Sequence, residues 1–222
     1  LHALLTSGGY YGCKVYLNFA PAWLPEKELR IYDFLPPHQL EVLDQLGQIV
    51  MLHIPRDNRL RDAVNIAQLL EIDRRYPRIR LIVAHVGRAY CTEDLGDALE
   101  QLADSRLLFD FSANTNSTVF YKLIQAVGSQ RILFGSDLPI TRMRSKRICE
   151  EGRYINIVPQ GLYGDVTQDS HMREADAQTE QSITFFLYEE MAAMIQAGLQ
   201  AGLTQADFEA MFWRNAEAIL KY

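Results

Sequence analysis

Three short apolar runs in this chain each end in a side chain that can bind a metal, and then break. Ile49 to His53 stops before Ile54 and Pro55, Arg80 to His85 before Val86 and Gly87, and Arg131 to Asp137 before Leu138 and Pro139. Runs of about four to eight β-branched and aliphatic residues bounded by turns read as strands buried on both faces. Amphipathic helical stretches between such strands imply crossover connections and a parallel sheet. All three polar residues then sit at carboxyl ends of parallel strands, where an α/β sheet places its chemistry.

The stretches between support this reading. Pro36 and Pro37 open a helix with Leu40, Leu43 and Leu46 on one side, and Gly47 is placed to end it. Leu60, Val64, Ala67 and Leu70 form the stripe of a second helix stopped by Pro77. Leu95, Ala98, Leu99 and Leu102 mark a third, and Val119, Phe120, Leu123, Ile124 and Val127 a fourth ending at Gly128. His53 and His85 are about 30 residues apart, as are Asp110 and Asp137, the length of one βαβ unit. Further strands are expected over 13–19, where Lys14, Tyr16 and Asn18 would share a face, and over 107–114, where Asp110, Ser112 and Asn114 would share one.

Five strands are thus expected, near residues 13, 49, 80, 107 and 131. The fold class is α/β of the (β/α)8 TIM-barrel type, lacking about the first three β/α units, because eight strands close such a barrel. Residues 1–222 are read as a single partial barrel domain, strands four to eight plus carboxyl-terminal helices. The chain opens inside what reads as the last turn of a helix (Leu1, Leu4, Leu5) closed by Gly8 and Gly9, as expected of part of a larger protein. Trp23 and Tyr32, in a proline-rich loop, are expected to pack. Segment 141–173, rich in Arg, Gly and Tyr and without a period, is expected to be a lid loop over the barrel mouth. Ile183, Leu187, Met191 and Met194 mark a long helix, and Thr204 with Asp207 forms a capping box for the last one, 205–220.

Composition narrows the partners. The 222 residues carry 22 basic and 28 acidic side chains, a net charge of −6, which opposes an extended polyanion. A small-molecule substrate is expected, and neither nucleic acid nor membrane. An exposed strand edge leaves association into a homo-oligomer open. The apolar runs are too short to span a bilayer and the first residues lack a secretory pattern, so a cytoplasmic address follows by default. Cys13, Cys91 and Cys149 are odd in number with no C-x-x-C pair and are expected to be reduced packing residues.

One histidine at a strand end is ordinarily a hydrogen-bonded structural residue, and an Asp before Leu-Pro ordinarily caps a turn. Imidazole, imidazole and carboxylate at the same height on successive strands point instead to a shared site. Imidazole nitrogen and carboxylate oxygen suit zinc, iron or manganese at an open catalytic centre.

LHIPR around His53, IVAHVG around His85, ILFGSDLP around Asp137 and RNAEAIL at 214–220 resemble the amidohydrolase superfamily, in its amidohydrolase-2 branch of hydrolases and nonoxidative decarboxylases. The resemblance runs from about Cys13 to the carboxyl end, with G-S-D-x-P its most specific element. It implies a distorted (β/α)8 barrel, His53 and Asp137 as ligands of one divalent transition metal, zinc by expectation, and His85 and Asp137 as catalytic groups. The family's first-strand His-x-His pair does not occur among the five histidines here, so the chain alone is expected to be inactive. Arg56 and Arg88 each follow a site histidine by three residues and are candidates, with Asn114, for substrate binding; solvated loop arginines and hydrogen bonds within a polar layer are the simpler explanations. Lys14 is read as an interior ion pair rather than a metal-bridging carbamate, and His38 and His171 as loop residues without a role. The activity implied is hydrolysis by metal-activated water. The alternatives are decarboxylation of an aromatic or unsaturated acid, a metal-free His/Asp acid–base pair, and a non-catalytic barrel acting as a binding protein.

Overall fold

The computed structural model describes residues 1–220. Five parallel strands, β1 (Gly12–Val15), β2 (Ile49–Leu52), β3 (Arg80–Val83), β4 (Leu108–Asp110) and β5 (Ile132–Leu133), form one sheet in chain order. Their registers step regularly, Val15 beside Leu52, Leu52 beside Val83, Val83 beside Phe109 and Asp110 beside Leu133. Val50, Leu52, Val83 and Phe109 are fully buried, as strands covered on both faces require.

The helices form where the apolar stripes place them. Helix Ala63–Arg75 is capped by Asp62, whose carboxylate accepts from the Val64 and Asn65 amides, and it buries Ile66, Leu69 and Ile72. Helix Ser117–Val127 is capped by Asn116 and ends at Gly128, whose φ of 73° suits a residue without Cβ. It sets Phe120 against Phe111, both fully buried, and each such ring contributes about 2–3 kcal/mol of apolar burial. The Thr204 and Asp207 capping box forms as expected, opening Gln205–Glu209, which runs through a π-helical turn (Ala210–Arg214) into Asn215–Leu220. Asn215 donates to the Ser129 and Ile132 carbonyls, both at 2.8 Å, and so ties this last helix to the start of β5.

Several expectations are corrected. β1 ends at Val15, and Leu17–Phe19 is a 3₁₀ turn, so the alternation through Asn18 fails. β4 ends at Asp110; Ala113 has φ 52°, and Ser112 and Asn114 are not on a strand. β5 spans two residues because the Phe134 amide turns away to the Met211 carbonyl. Trp23 is 79% exposed rather than packed.

The segment 141–173 is not an irregular loop. It contains the antiparallel pair β6 (Lys146–Glu150) and β7 (Arg153–Val158), with β8 (Met172–Glu174) parallel to β7. This sheet closes a small core of Ile157, Ala175 and Ile183. It is also covalently tethered, because Cys149 on β6 is disulfide-bonded to Cys91. The expectation of three reduced cysteines is thereby overturned for two of them. Two cysteines 58 positions apart give no sequence sign of pairing, which depends on β6 folding back beside the segment after β3. Cys13 is free, and burial pushes its thiol up to about 11.

Candidate active site

Two of the three strand-end groups, His53 and His85, meet; among the described residues Asp137 does not join them in a group of three metal-binding side chains. His53 continues β2, its amide donating to the Val15 carbonyl at 3.2 Å, and its Nδ1 reaches the same oxygen at 3.1 Å. A carbonyl only accepts, so Nδ1 carries the hydrogen and Nε2 is bare in the neutral ring. The Tyr16 ring stacks on the imidazole with centroids 4.2 Å apart.

His85 follows β3 and opens a left-handed turn, with φ near 56°, 51°, 61° and 59° at His85, Val86, Gly87 and Arg88. Its Nδ1 donates to the Ser112 carbonyl at 3.0 Å and to Ser112 Oγ at 2.9 Å. That hydroxyl spends its own hydrogen on Asp110 Oδ1, which also accepts from the Ser112 amide at 2.9 Å. His85 therefore also presents a bare Nε2.

The two bare nitrogens face each other, 3.0 Å apart. Two lone pairs in line repel one another, a cost that the carbonyls behind each ring hold in place and that a metal ion between the nitrogens would relieve. A proton on His53 is disfavoured: burial, then the neighbouring His85 and Lys14, lower its pKa to about 4. An ion held by His53 Nε2 at about 2.0–2.1 Å would lie beside His85 Nε2, so both nitrogens can face one metal centre. Among the described residues no three His, Cys, Asp or Glu side chains converge to complete one.

Asp137 lies beyond β5, with φ 45°. Its Oδ1 is 3.8 Å from Lys14 Nζ, which lies 5.2 Å from the Tyr16 ring centroid and so links Asp137 to the His53 side of the site. Gly135, in the same stretch, runs close to Ser112: a Cβ there would stand 3.4 Å from Ser112 Cβ.

The three further candidates are placed differently. Arg88 has Nη1 buried without a hydrogen-bond partner, 3.8 Å from Glu26 Oε1, and its charge adds to the depression of the His53 pKa. Arg56 donates from Nε to the Leu29 carbonyl at 2.9 Å and stands 3.7 Å from Asp62. Asn114 is fully buried, donating to the Ala89 carbonyl at 2.7 Å and accepting from the Asn116 amide at 3.1 Å. His171, read as without a role, stacks on Tyr154 at 4.1 Å.

Two groups next to this site escaped the sequence reading. Glu190 is fully buried on helix Phe186–Gln200 and accepts from the Ala113 amide at 2.7 Å. Its signal was a carboxylate on the apolar stripe shared by Phe186, Met194 and Ala197. Arg147, on β6, donates to the Ala113 carbonyl at 2.6 Å, and its apolar surroundings lower its pKa. Nothing in the local sequence separates it from the other arginines and lysines of the segment.

Solved structures with a similar fold include 2,6-dihydroxybenzoate decarboxylase bound to 2,6-dihydroxybenzoate (12% identity, TM-score 0.55), covering 100% of this chain and 65% of that one. A 2-pyrone-4,6-dicarboxylic acid hydrolase from Pseudomonas putida, so described provisionally, aligns at 15% identity and TM-score 0.53, over 99% of this chain and 67% of its own. An amidohydrolase from Burkholderia multivorans with bound zinc aligns at 13% identity and TM-score 0.55, over 97% and 75%. At these identities the likeness concerns the fold, a parallel five-stranded α/β sheet similar to that of amidohydrolase TIM-barrel proteins. The chain spans less than two thirds of the decarboxylase, and 57% of the Burkholderia protein in its HEPES-bound crystal form. No curated protein sequence matches it. No helix among the described residues is long and apolar enough to cross a membrane. The amidohydrolase family model, by contrast, matches from residue 1 to residue 222, and on that match the chain belongs to the amidohydrolase family.

Proposed function

We propose that this chain is the five-strand portion of a (β/α)8 barrel enzyme that hydrolyses a small organic substrate at a zinc centre. The observation that carries the reading is the pair of bare Nε2 atoms of His53 and His85, 3.0 Å apart, each fixed in its tautomer by a backbone carbonyl behind it. β1 and β5 each pair on one side only, which leaves the sheet open where further strands of a barrel would close it. Remaining ligands would come from those strands.

In this reading His53 and Asp137 would hold the ion, and His85 Nε2, 3.0 Å from that of His53, would be left for the substrate. A divalent metal bound there supplies Lewis acidity and lowers the pKa of a water toward about 7. His85, with its proton held on Nδ1 by Ser112, keeps Nε2 open to take a proton or steady developing charge on the substrate. Asp137 would take the proton of the attacking water, with Lys14 Nζ standing 3.8 Å from its Oδ1. Arg88, whose Nη1 makes no hydrogen bond and stands 3.8 Å from Glu26, would turn from that ion pair to a carboxylate of the substrate; Arg56 and Asn114 would support it from behind.

A guanidinium nitrogen without a hydrogen bond near the histidines favours a second reading, decarboxylation of an aromatic or unsaturated acid, because a carboxylate is then the reacting group. The Cys91–Cys149 disulfide stands against the cytoplasmic address expected from the sequence, because such bonds persist mainly in oxidising compartments.

The test is elemental analysis of the full-length protein, followed by turnover in ¹⁸O-labelled water. About one zinc per chain, lost in His53→Ala and Asp137→Ala, with label entering product, is the expected result. Release of carbon dioxide without label incorporation selects the second reading. Absence of metal after reconstitution refutes both; chelator-insensitive turnover would then select the metal-free acid–base pair, and no turnover a non-catalytic barrel.

A further inference from the structure

His85 owes its tautomer to Ser112, and Ser112 is the last residue before a backbone irregularity. Ala113 is buried, with φ 52°, a region that residues with a Cβ rarely adopt. A strained residue persists only where its surroundings over-determine it, and here the constraint is visible on both sides. The Ala113 amide donates to Glu190 Oε2 at 2.7 Å, and the Ala113 carbonyl accepts from Arg147 Nη1 at 2.6 Å. The two side chains arrive from distant elements, helix Phe186–Gln200 and β6.

Both are themselves held. The Arg147 guanidinium lies 4.5 Å from the Tyr90 ring centroid, 4.6 Å from that of Tyr154 and 4.7 Å from that of Phe186, and its Nε donates to Asn156 Oδ1 at 2.9 Å. Glu190 is fully buried with Oε1 unpartnered, and burial, with Asp110 and Asp137 nearby, pushes its carboxyl up to about 9. A neutral carboxyl held at that cost in the core is poorly explained by packing alone, since an apolar residue would fill the stripe better.

We propose that Glu190 and Arg147 are positioning residues for His85: by gripping Ala113 from its amide and its carbonyl, they hold the Ser112 oxygens that keep the His85 proton on Nδ1. The inference rests on the reading of His85 as a working group. Its test does not, because it reads the imidazole and not turnover.

The test is long-range ¹H–¹⁵N correlation of the imidazoles in the chelator-treated protein, at a pH where both rings are neutral. The parent, Glu190→Gln and Glu190→Met are compared. Glutamine keeps a carbonyl oxygen for the Ala113 amide, so His85 stays in the Nδ1–H form. Methionine fills the space without an acceptor, and more than half of that tautomer is lost, while His53, anchored on Val15, is unchanged. A His85 ring unaffected in folded Glu190→Met overturns the proposal. Should that variant not fold, Arg147→Lys decides in the same way, since a shorter ammonium cannot reach the Ala113 carbonyl. The parent offers a check without substitution: an Ala113 amide that exchanges freely with solvent would also overturn it.

Discussion

Gly87→Ala tests whether the left-handed turn that carries His85 and Arg88 is as constrained as it looks. Gly87 is buried at φ 61°, and a Cβ there would lie 2.6 Å from Leu60 Cδ1, 3.1 Å from Leu60 Cβ and 3.2 Å from Ile54 Cδ1. Leu60 and Ile54 are themselves fully buried, so neither can swing aside. The conformational cost of alanine at positive φ is about 1–2 kcal/mol, and overpacking a closed core adds about 1–3 kcal/mol. The sum centres on about 3.5 kcal/mol, a fall in Tm of about 7–14 °C for a chain of this size. Gly161→Ala is the control, because Gly161 has φ 65° but nothing within 4 Å of its added Cβ. It should lose only the conformational part, about 1–2 kcal/mol. Urea unfolding of the two variants against the parent separates the terms. Equal losses at the two positions would refute the steric argument, and no loss at Gly87 would refute the left-handed turn itself.

Other consequences can be read from single side chains. Cys91→Ser should lower stability by about 4 kcal/mol in the chain-entropy account of a 58-residue closure; dithiothreitol should do the same to the parent and nothing to the variant, and a variant as stable as the oxidised parent would reject the bond. The Glu190 carboxyl, raised from 4.5 to about 9, keeps its proton in the folded state where the unfolded chain releases it, so its contribution is full below about 4.5 and is lost as pH rises through about 9. Denaturant midpoints of Glu190→Gln should lack that alkaline decline, and an unchanged profile would assign it elsewhere. Asn215→Ala strips a donor from two buried carbonyls and should cost about 2 kcal/mol in chemical unfolding; a loss under 0.5 kcal/mol, the scatter typical of neutral surface changes, would show that water replaces the amide.

The parallel sheet and its order were legible because apolar runs flanked by turn residues, spaced about one βαβ unit apart, admit few other arrangements. The helix start at Thr204 followed from local capping chemistry, whereas the caps Asp62 and Asn116 emerge in the structure. His53 and His85 were recognisable because each stands where an apolar run stops. What the sequence could not carry was everything set by contacts between distant residues. The disulfide joins positions 58 apart, the 141–173 sheet forms by pairing rather than by period, and Ser112 and Asn114 left their expected face because Ala113 turns left-handed under the grip of Glu190 and Arg147. Periodicity reports which face of an element is apolar, and that is a local property. A histidine's tautomer, a guanidinium's ring cage and the 3.0 Å approach of two bare nitrogens depend on side chains that only folding brings together.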